Sequence, residues 1–382
     1  MDTQAYYERL AAAASLESDD GAIRIRARYE PGAGSGAKVS PPTYPEDRRD
    51  TPYLLEDRLG PDGVAEKVAL LDSRQSQANR CEEALQDAID VGRLELPHLV
   101  LQLVTHAHTI RITSLTAPHR SRDAYFRDSR LGETPFDKTP EGSALADTSS
   151  EDATALYLHS PADLVYGVWD SHRGKRLQTK FPRVYTSELV GRGAVSGSRA
   201  AGRYDMFTSG KRKVSGSDDD WTPDDKGKSK LSAVGLGSIP PGVVAAGGVT
   251  CRTIEREATL SFAGLARVRV GTDSSQRRAA RAVLAALAIL GDRLAFGPPA
   301  LFLRSGCDLV VESESLSWVR RGGQEQNFEL SASDASALFL HAVDGAASAG
   351  LQWSTEPLRL APQEKLQRVV NEAFLAAPDE GE

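Results

Sequence analysis

Beyond Ser196, as far as about Thr250, the chain turns low in complexity, with GSRAAGR, TSGKRKVSGSDDD and DDKGKSK in succession. Such strings cannot bury enough apolar surface to offset the entropy lost on ordering, so the region is expected to stay mobile until a partner holds it. Any core must therefore be assembled from the sequence on either side. No internal repeat is evident.

On the amino-terminal side, Thr3 to Ala14 has the spacing of an amphipathic helix, and Ala22 to Tyr29 that of a strand, with Ile23 and Ile25 alternating with Arg24 and Arg26. Gly32 to Pro45 reads as a loop. Asp72 or Ser73 can cap a helix in which Ala78, Cys81, Leu85 and Ala88 form an apolar stripe and which Gly92 stops. Leu99 to Val104 and Thr109 to Ile112 are short runs suited to strands, and Gly132 to Thr154 is loop-like. On the far side, Thr259 to Val270 alternates like a strand. Ser274 caps a helix striped by Ala280, Val283, Leu284, Leu287 and Ala288; Leu301 to Leu303 and Leu309 to Val311 predict two strands, and Pro362 to Ala376 a last helix. The pattern predicts an α+β protein with helices on one face of a sheet. At 382 residues the chain is long enough for a substantial core.

The net charge is −7, but it is unevenly spread. Between Ser171 and Lys213 eleven basic residues stand against Glu188 and Asp205, so this segment carries +9 and the remainder −16. That polarisation suits a protein with one face for a polyanion. Cys81, Cys251 and Cys307 are too few and too far apart for a disulfide framework or a CxxC knuckle, which points to a reducing cytoplasm. The amino terminus lacks the flanks of a signal peptide, and no segment approaches the roughly 20 apolar residues needed to span a bilayer.

Two stretches carry candidate chemistry. In WDSHRGKRLQTKFPR, Trp169 to Arg183, guanidinium groups can grip phosphate bidentately, lysines supply point charges, His172 can donate, and Trp169 or Phe181 can stack on a base. In APHRSRDAYFR, Pro118 favours an extended approach for His119, Arg120 and Arg122, while Tyr125 and Phe126 anchor the next turn. On the capped helix, the apolar stripe leaves Arg74, Gln77 and Arg80 to face something else. Other patterns are set aside. His106 and His108 share a strand face as an HxH pair but lack a third ligand at metal spacing. The cluster Asp218, Asp219, Asp220, Asp224 and Asp225 reads as a solvated loop, GAGSGAKVS has the wrong spacing for a phosphate loop, and no GxSxG is present.

Three ordered strings, LLDSRQSQANRCEEAL, TSLTAPHRSRDAYFRDS and LVYGVWDSHRGKRLQTKFPRVYTSELVGRGA, resemble successive signature blocks of one family, running from about Leu70 to Ala194. It is the RNA-binding backbone subunit of the type I-G (formerly I-U) CRISPR effector complex, the Csb-one family in the Cas-seven-type branch of the RAMP superfamily. The resemblance implies a modified ferredoxin-like, RRM-like core sheet with large loop or hairpin insertions: one domain over 1–382, its core from about 1–30, 65–115 and 255–315, with insertions at about 31–60 and 116–250. No aromatic string of the kind by which RRM sheets stack bases is found, so contact is expected from loops and helix edges.

By the same resemblance, copies would polymerise along the spacer of a CRISPR RNA, and the guide would pair with a target DNA strand. Other effector subunits and a recruited helicase-nuclease would complete the assembly, with no membrane and no cofactor or metal. The implied RNA contacts are Arg74, Gln77, Asn79, Arg80, Ser114, His119, Arg120, Arg122, Arg127, His172, Arg173, Lys175, Arg176, Lys180 and Arg183. Related type III subunits cleave RNA with an aspartate, which singles out Asp123 and Asp170 for the alternative reading, a metal-dependent endoribonuclease. The type I resemblance implies instead a non-catalytic chain.

Overall fold

Side chains alternate along a strand, and Asp20–Pro31 accordingly buries Ile23, Ile25, Ala27 and Tyr29 while turning Arg24, Arg26 and Arg28 outward. This strand lies inside an eight-stranded sheet of a computed structural model that describes residues 2–15, 17–44, 51–60, 62–105, 108–170, 179–203, 213–217, 220–224, 226, 229–230 and 239–375. The strand order is Ala300–Leu303, Cys307–Arg320, Asp20–Pro31, Thr253–Ser261, Tyr185–Arg192, Ala65–Asp72 and Leu55–Leu59, with Glu325–Phe328 also paired to Cys307–Arg320. Every pairing in it is antiparallel.

Helices cover one face. From Ala282 the helix Ser274–Phe296 is apolar on nearly every side, as a helix enclosed on all sides must be. It packs between the sheet strand Thr253–Ser261 and the helices Arg74–Asp90, Thr3–Ala13 and Ala332–Ser348. Leu284, Leu287 and Leu290 are almost wholly buried, each contributing about 1.5–3 kcal/mol relative to exposure. Gly291 permits the close approach: a Cβ there would collide with Tyr166 Oη and lie 3.3 Å from Cys81 Cβ.

The opposite face is polar. Arg24 and Arg26 pair with Glu325, Arg28 with Glu255, Arg58 with Glu188, and Arg192 with Glu66 and Glu255. Its central strands thus carry a neutralised lattice of charge in place of aromatic side chains.

A second sheet of five strands runs Thr109–Thr113, Leu99–Val104, Leu358–Pro362, Ser129–Leu131 and Thr134–Pro135. Beyond Arg192 and before Thr253 the central hairpin continues as a two-stranded ribbon, Val195–Arg203 with Ile239–Thr250. Its root is clamped by a bridge between Val39 and Val249 and by Gly248 N–H donating to Tyr53 Oη at 2.7 Å.

The α+β architecture with helices on one face of the main sheet follows the sequence pattern, but several expected elements are displaced. Leu99–Val104 and Thr109–Thr113 join the second sheet, not the main one. Tyr185–Arg192, expected within an insertion, is a central strand whose inward Ser187 and Gly191 conceal its apolar alternation. The strand expected to reach Val270 ends at Ser261, whose Oγ caps a short helix, Phe262–Leu265. Asp273, not Ser274, caps the long helix. The loop-like stretch after Gly132 contains the helix Pro140–Ala146, capped by Thr139 with Pro at its start. Part of the low-complexity region pairs in the ribbon and in a small sheet of Lys213–Ser217 with Asp220–Pro223 and Ser229–Lys230. Asp218, Asp219, Asp225 and His106 lie outside the described residues. Among the described residues no helix is long and apolar enough to cross a membrane.

Candidate nucleic-acid interface

The Arg74–Asp90 helix begins where Ser73 Oγ accepts from Ser76 N at 3.3 Å, directly after a sheet strand, so its first turns stand at the sheet end. Its apolar stripe is buried as expected, yet three polar side chains share the buried face. Gln77 is one of them, and this corrects its expected outward role. Its amide donates to Asp72 at 2.5 Å and accepts from Ser187 Oγ at 2.7 Å and Arg256 Nε at 3.2 Å. Arg256 in turn pairs with Asp292, which accepts from Tyr185 Oη at 2.5 Å and from Arg293. Burial opposes ionisation of Asp292, but Arg256 and Arg293 hold its carboxyl below the usual range. A chain of buried hydrogen bonds therefore runs from the middle of the core to Asp72, which receives Arg80 Nε at 2.7 Å.

Glu82 is the second of these buried polar residues. Arg120 grips it with Nε at 2.5 Å and Nη2 at 2.8 Å and donates to Gly167 O at 2.9 Å. Burial pushes the Glu82 carboxyl up to about 7 against the pull of Arg120. Arg120 reaches this position from a backbone at φ +52°, the left-handed region that costs a side-chain-bearing residue energy. Its neighbour Arg122 turns inward too, donating to Leu145 O and Thr148 Oγ1. Ser114 is 1% exposed, with Oγ accepting from Leu99 N at 3.1 Å. Gln77, Ser114, Arg120 and Arg122, all expected at the RNA, instead spend their polar atoms inside the fold.

The remaining basic residues make a surface. Arg74 is 62% exposed, with Glu188 at 3.9 Å. Asn79 and His119 are exposed, and Arg127 pairs with Asp128 at 2.9 Å. Lys180 and Trp169 face each other across a two-stranded pair, the ammonium 5.6 Å from the centroid of an indole that is 54% exposed. His172, Arg173, Lys175 and Arg176 belong to 171–178, outside the described residues, but the chain leaves and returns through this pair.

Beneath the pair, Arg183 is half-buried against Gly167, where a Cβ would come within 2.9 Å of the arginine Cγ. Its Nε is buried without a hydrogen-bond partner among the described residues. Burial first, and then the Arg120 cation, lower its pKa, while Glu82 is already occupied by Arg120. A guanidinium in that state is short of an anion. The cations thus differ in kind: those near Glu82 and Asp72 are neutralised, whereas among the described residues Arg183 Nε has no partner, Arg74 has only the distant Glu188, and Lys180 rests over the Trp169 ring.

Asp123 is a cap rather than a free acid, accepting from Tyr125 N at 3.2 Å and His119 N at 3.1 Å. Asp170 lies 4.0 Å from Arg122. Two cations that the sequence reading passed over, Lys38 and Arg304, flank the same helix. Lys38 sits in a Gly-rich string whose spacing signals no phosphate loop, and Arg304 follows a short strand with no local signal.

Residues 23–196 match the model of a family described as CRISPR-associated protein GSU0053, a span that includes all three signature strings. No curated protein matches the chain. Among solved structures, one chain of an assembly described as "CRISPR RNA-guided surveillance complex, pre-nicking" is similar at 10% identity with a TM-score of 0.33, covering 92% of this chain and 99% of that one. A likeness that loose does not fix the course of the backbone.

Proposed function

We propose that this chain is a CRISPR RNA-binding backbone subunit of a type I-G Cascade-like surveillance complex, a cytoplasmic and non-catalytic protein. Copies of it assemble head to tail along the guide spacer and hold the guide for pairing with a target DNA strand. Such heterologous contacts build open filaments, for which a chain needs a basic track and an acidic complementary surface. Other effector subunits, and a helicase-nuclease recruited to the finished complex, are the further partners of this reading.

The observation that carries it is the cationic set Arg74, Lys180 and Arg183, in which Arg183 Nε is buried without a partner among the described residues, next in sequence to a basic segment inside the span that matches a CRISPR-associated family. Backbone phosphates supply the missing charge without reading sequence. The main sheet, with Arg74–Asp90 and Ser274–Phe296 on one face, is compatible with an elaborated ferredoxin-like core, and the ribbon suits the protruding hairpin of that reading. Its Arg–Glu lattice favours contact through helix edges and loops.

Fluorescence anisotropy with labelled single-stranded RNAs of unrelated sequence, with and without magnesium or manganese, tests the reading. It expects similar affinities and intact RNA. Cleavage products that disappear in Asp123→Asn or Asp170→Asn would replace it with the endoribonuclease alternative.

A further inference from the structure

Ser73, Ser76 and Arg80 recur at helical spacing on a face roughly opposite Arg74. There they line a cleft of about 710 Å³ closed by the loop around Lys38, the ribbon root at Gly247 and Gly248, and the turn at Arg304 and Ser305. The size falls in the range of about 300–1,000 Å³ typical of small-ligand sites. We infer that this cleft is a nucleotide subsite, taking one phosphodiester-linked nucleotide of a single-stranded RNA with its phosphate on Lys38 and Arg304.

The chemistry of the lining is two-sided. Leu71, Leu303 and Pro41 offer an apolar wall against which a base can lie, and the seryl hydroxyls of Ser73 and Ser76 can reach ribose or phosphate oxygens. Lys38 is exposed and has no carboxylate partner among the described residues. Arg304 is 69% exposed and bound to Glu83, a surface pair that adds little and that a phosphate can displace bidentately. Among the described lining residues the one acid, Asp72, is already engaged by Arg80 at 2.7 Å and Gln77 at 2.5 Å, so it does not stand as a free negative charge against the ligand. Ser305 Oγ is buried with no hydrogen-bond partner among the described residues. The cleft therefore holds cations, unsatisfied hydroxyl capacity and apolar surface in one concavity.

This inference rests on the RNA-binding reading above, and one experiment separates the two. RNA carrying 4-thiouridine is cross-linked to the full-length protein and to Lys38→Ala/Arg304→Ala, with peptide mapping and anisotropy side by side. The wild type is expected to cross-link within 38–44 or 302–305. The double variant, whose substitutions lie on exposed side chains, should keep its melting temperature and lose about 0.7 from the slope of log affinity against log salt, the share of the one phosphate contact. Wild-type RNA binding with no cross-link in those peptides and no change in the variant would overturn the subsite while leaving the RNA-binding reading intact. A wild type that binds no RNA would overturn both. Free uridine monophosphate that raises the melting temperature of the wild type but not of the variant would make the ligand a free nucleotide, and the chain-borne assignment would fall.

Discussion

Replacing Arg74 and Arg183 together by Ala removes two cations of the candidate interface that the described residues leave weakly neutralised. Arg74 is 62% exposed and has only a distant carboxylate at 3.9 Å, and Arg183 Nε has no partner at all among the described residues. Neither removal strands a buried acid, because Glu82 keeps both its bonds to Arg120 and Glu188 keeps Arg58 at 2.8 Å. Each phosphate contact on a single strand releases counterions worth ~0.7 in the slope of log affinity against log salt, so two contacts account for about 1.4. Over a fourfold rise, from about 50 to 200 mM, that difference compounds to roughly sevenfold. The variant should bind labelled RNA more weakly at low salt, and the gap to wild type should narrow about sevenfold across that range. Anisotropy titrations at four or five salt concentrations read the slope directly. Parallel lines, with the slope unchanged within about 0.3, would remove both residues from the RNA track.

Three further outcomes concern the scaffold that holds the interface. Asp292→Asn leaves Arg256 and Arg293 facing one another without their shared anion, and should cost about 3–5 kcal/mol in urea unfolding; a loss under about 1 kcal/mol would mean that Tyr185 and Glu314 suffice. Gly291→Ala should destabilise by about 1–3 kcal/mol through collision with Tyr166 Oη, and adding Tyr166→Phe should restore part of that; no recovery would place the strain elsewhere. His98 is buried, with Nδ1 2.8 Å from Leu96 O, and burial lowers its pKa below the usual 6.5. The unfolded chain then takes up the proton first as pH falls, so this contribution to stability is present above about 6.5 and is lost below it. His98→Gln should flatten that part of the pH profile of the melting temperature, and an unaltered profile would contradict the assignment.

Much of the local structure was legible in the sequence because it is set by short-range chemistry. The Ser73 cap, the stripe of Ala78, Cys81, Leu85 and Ala88, and the alternation of Ile23 and Ile25 each depend on neighbours a few residues away. What hydropathy could not reveal was the destination of the polar residues. Gln77 is turned inward by Arg256, 179 residues distant, and Arg120 by Glu82, 38 residues distant. A basic string announces charge, but whether each cation meets an acid or the solvent is decided by long-range topology. For the same reason Tyr185–Arg192 looked peripheral: Ser187 occupies a core position only because the buried Arg256 network satisfies it.

The central claim is tested most directly by expressing the chain together with CRISPR arrays whose spacers differ in length, purifying it, and measuring particle mass and nucleic-acid absorbance. The account predicts RNA-bound oligomers whose number of protein copies rises with spacer length. A nucleic-acid-free monomer that also ignores added guide RNA, in the presence of the partner subunits, would contradict it.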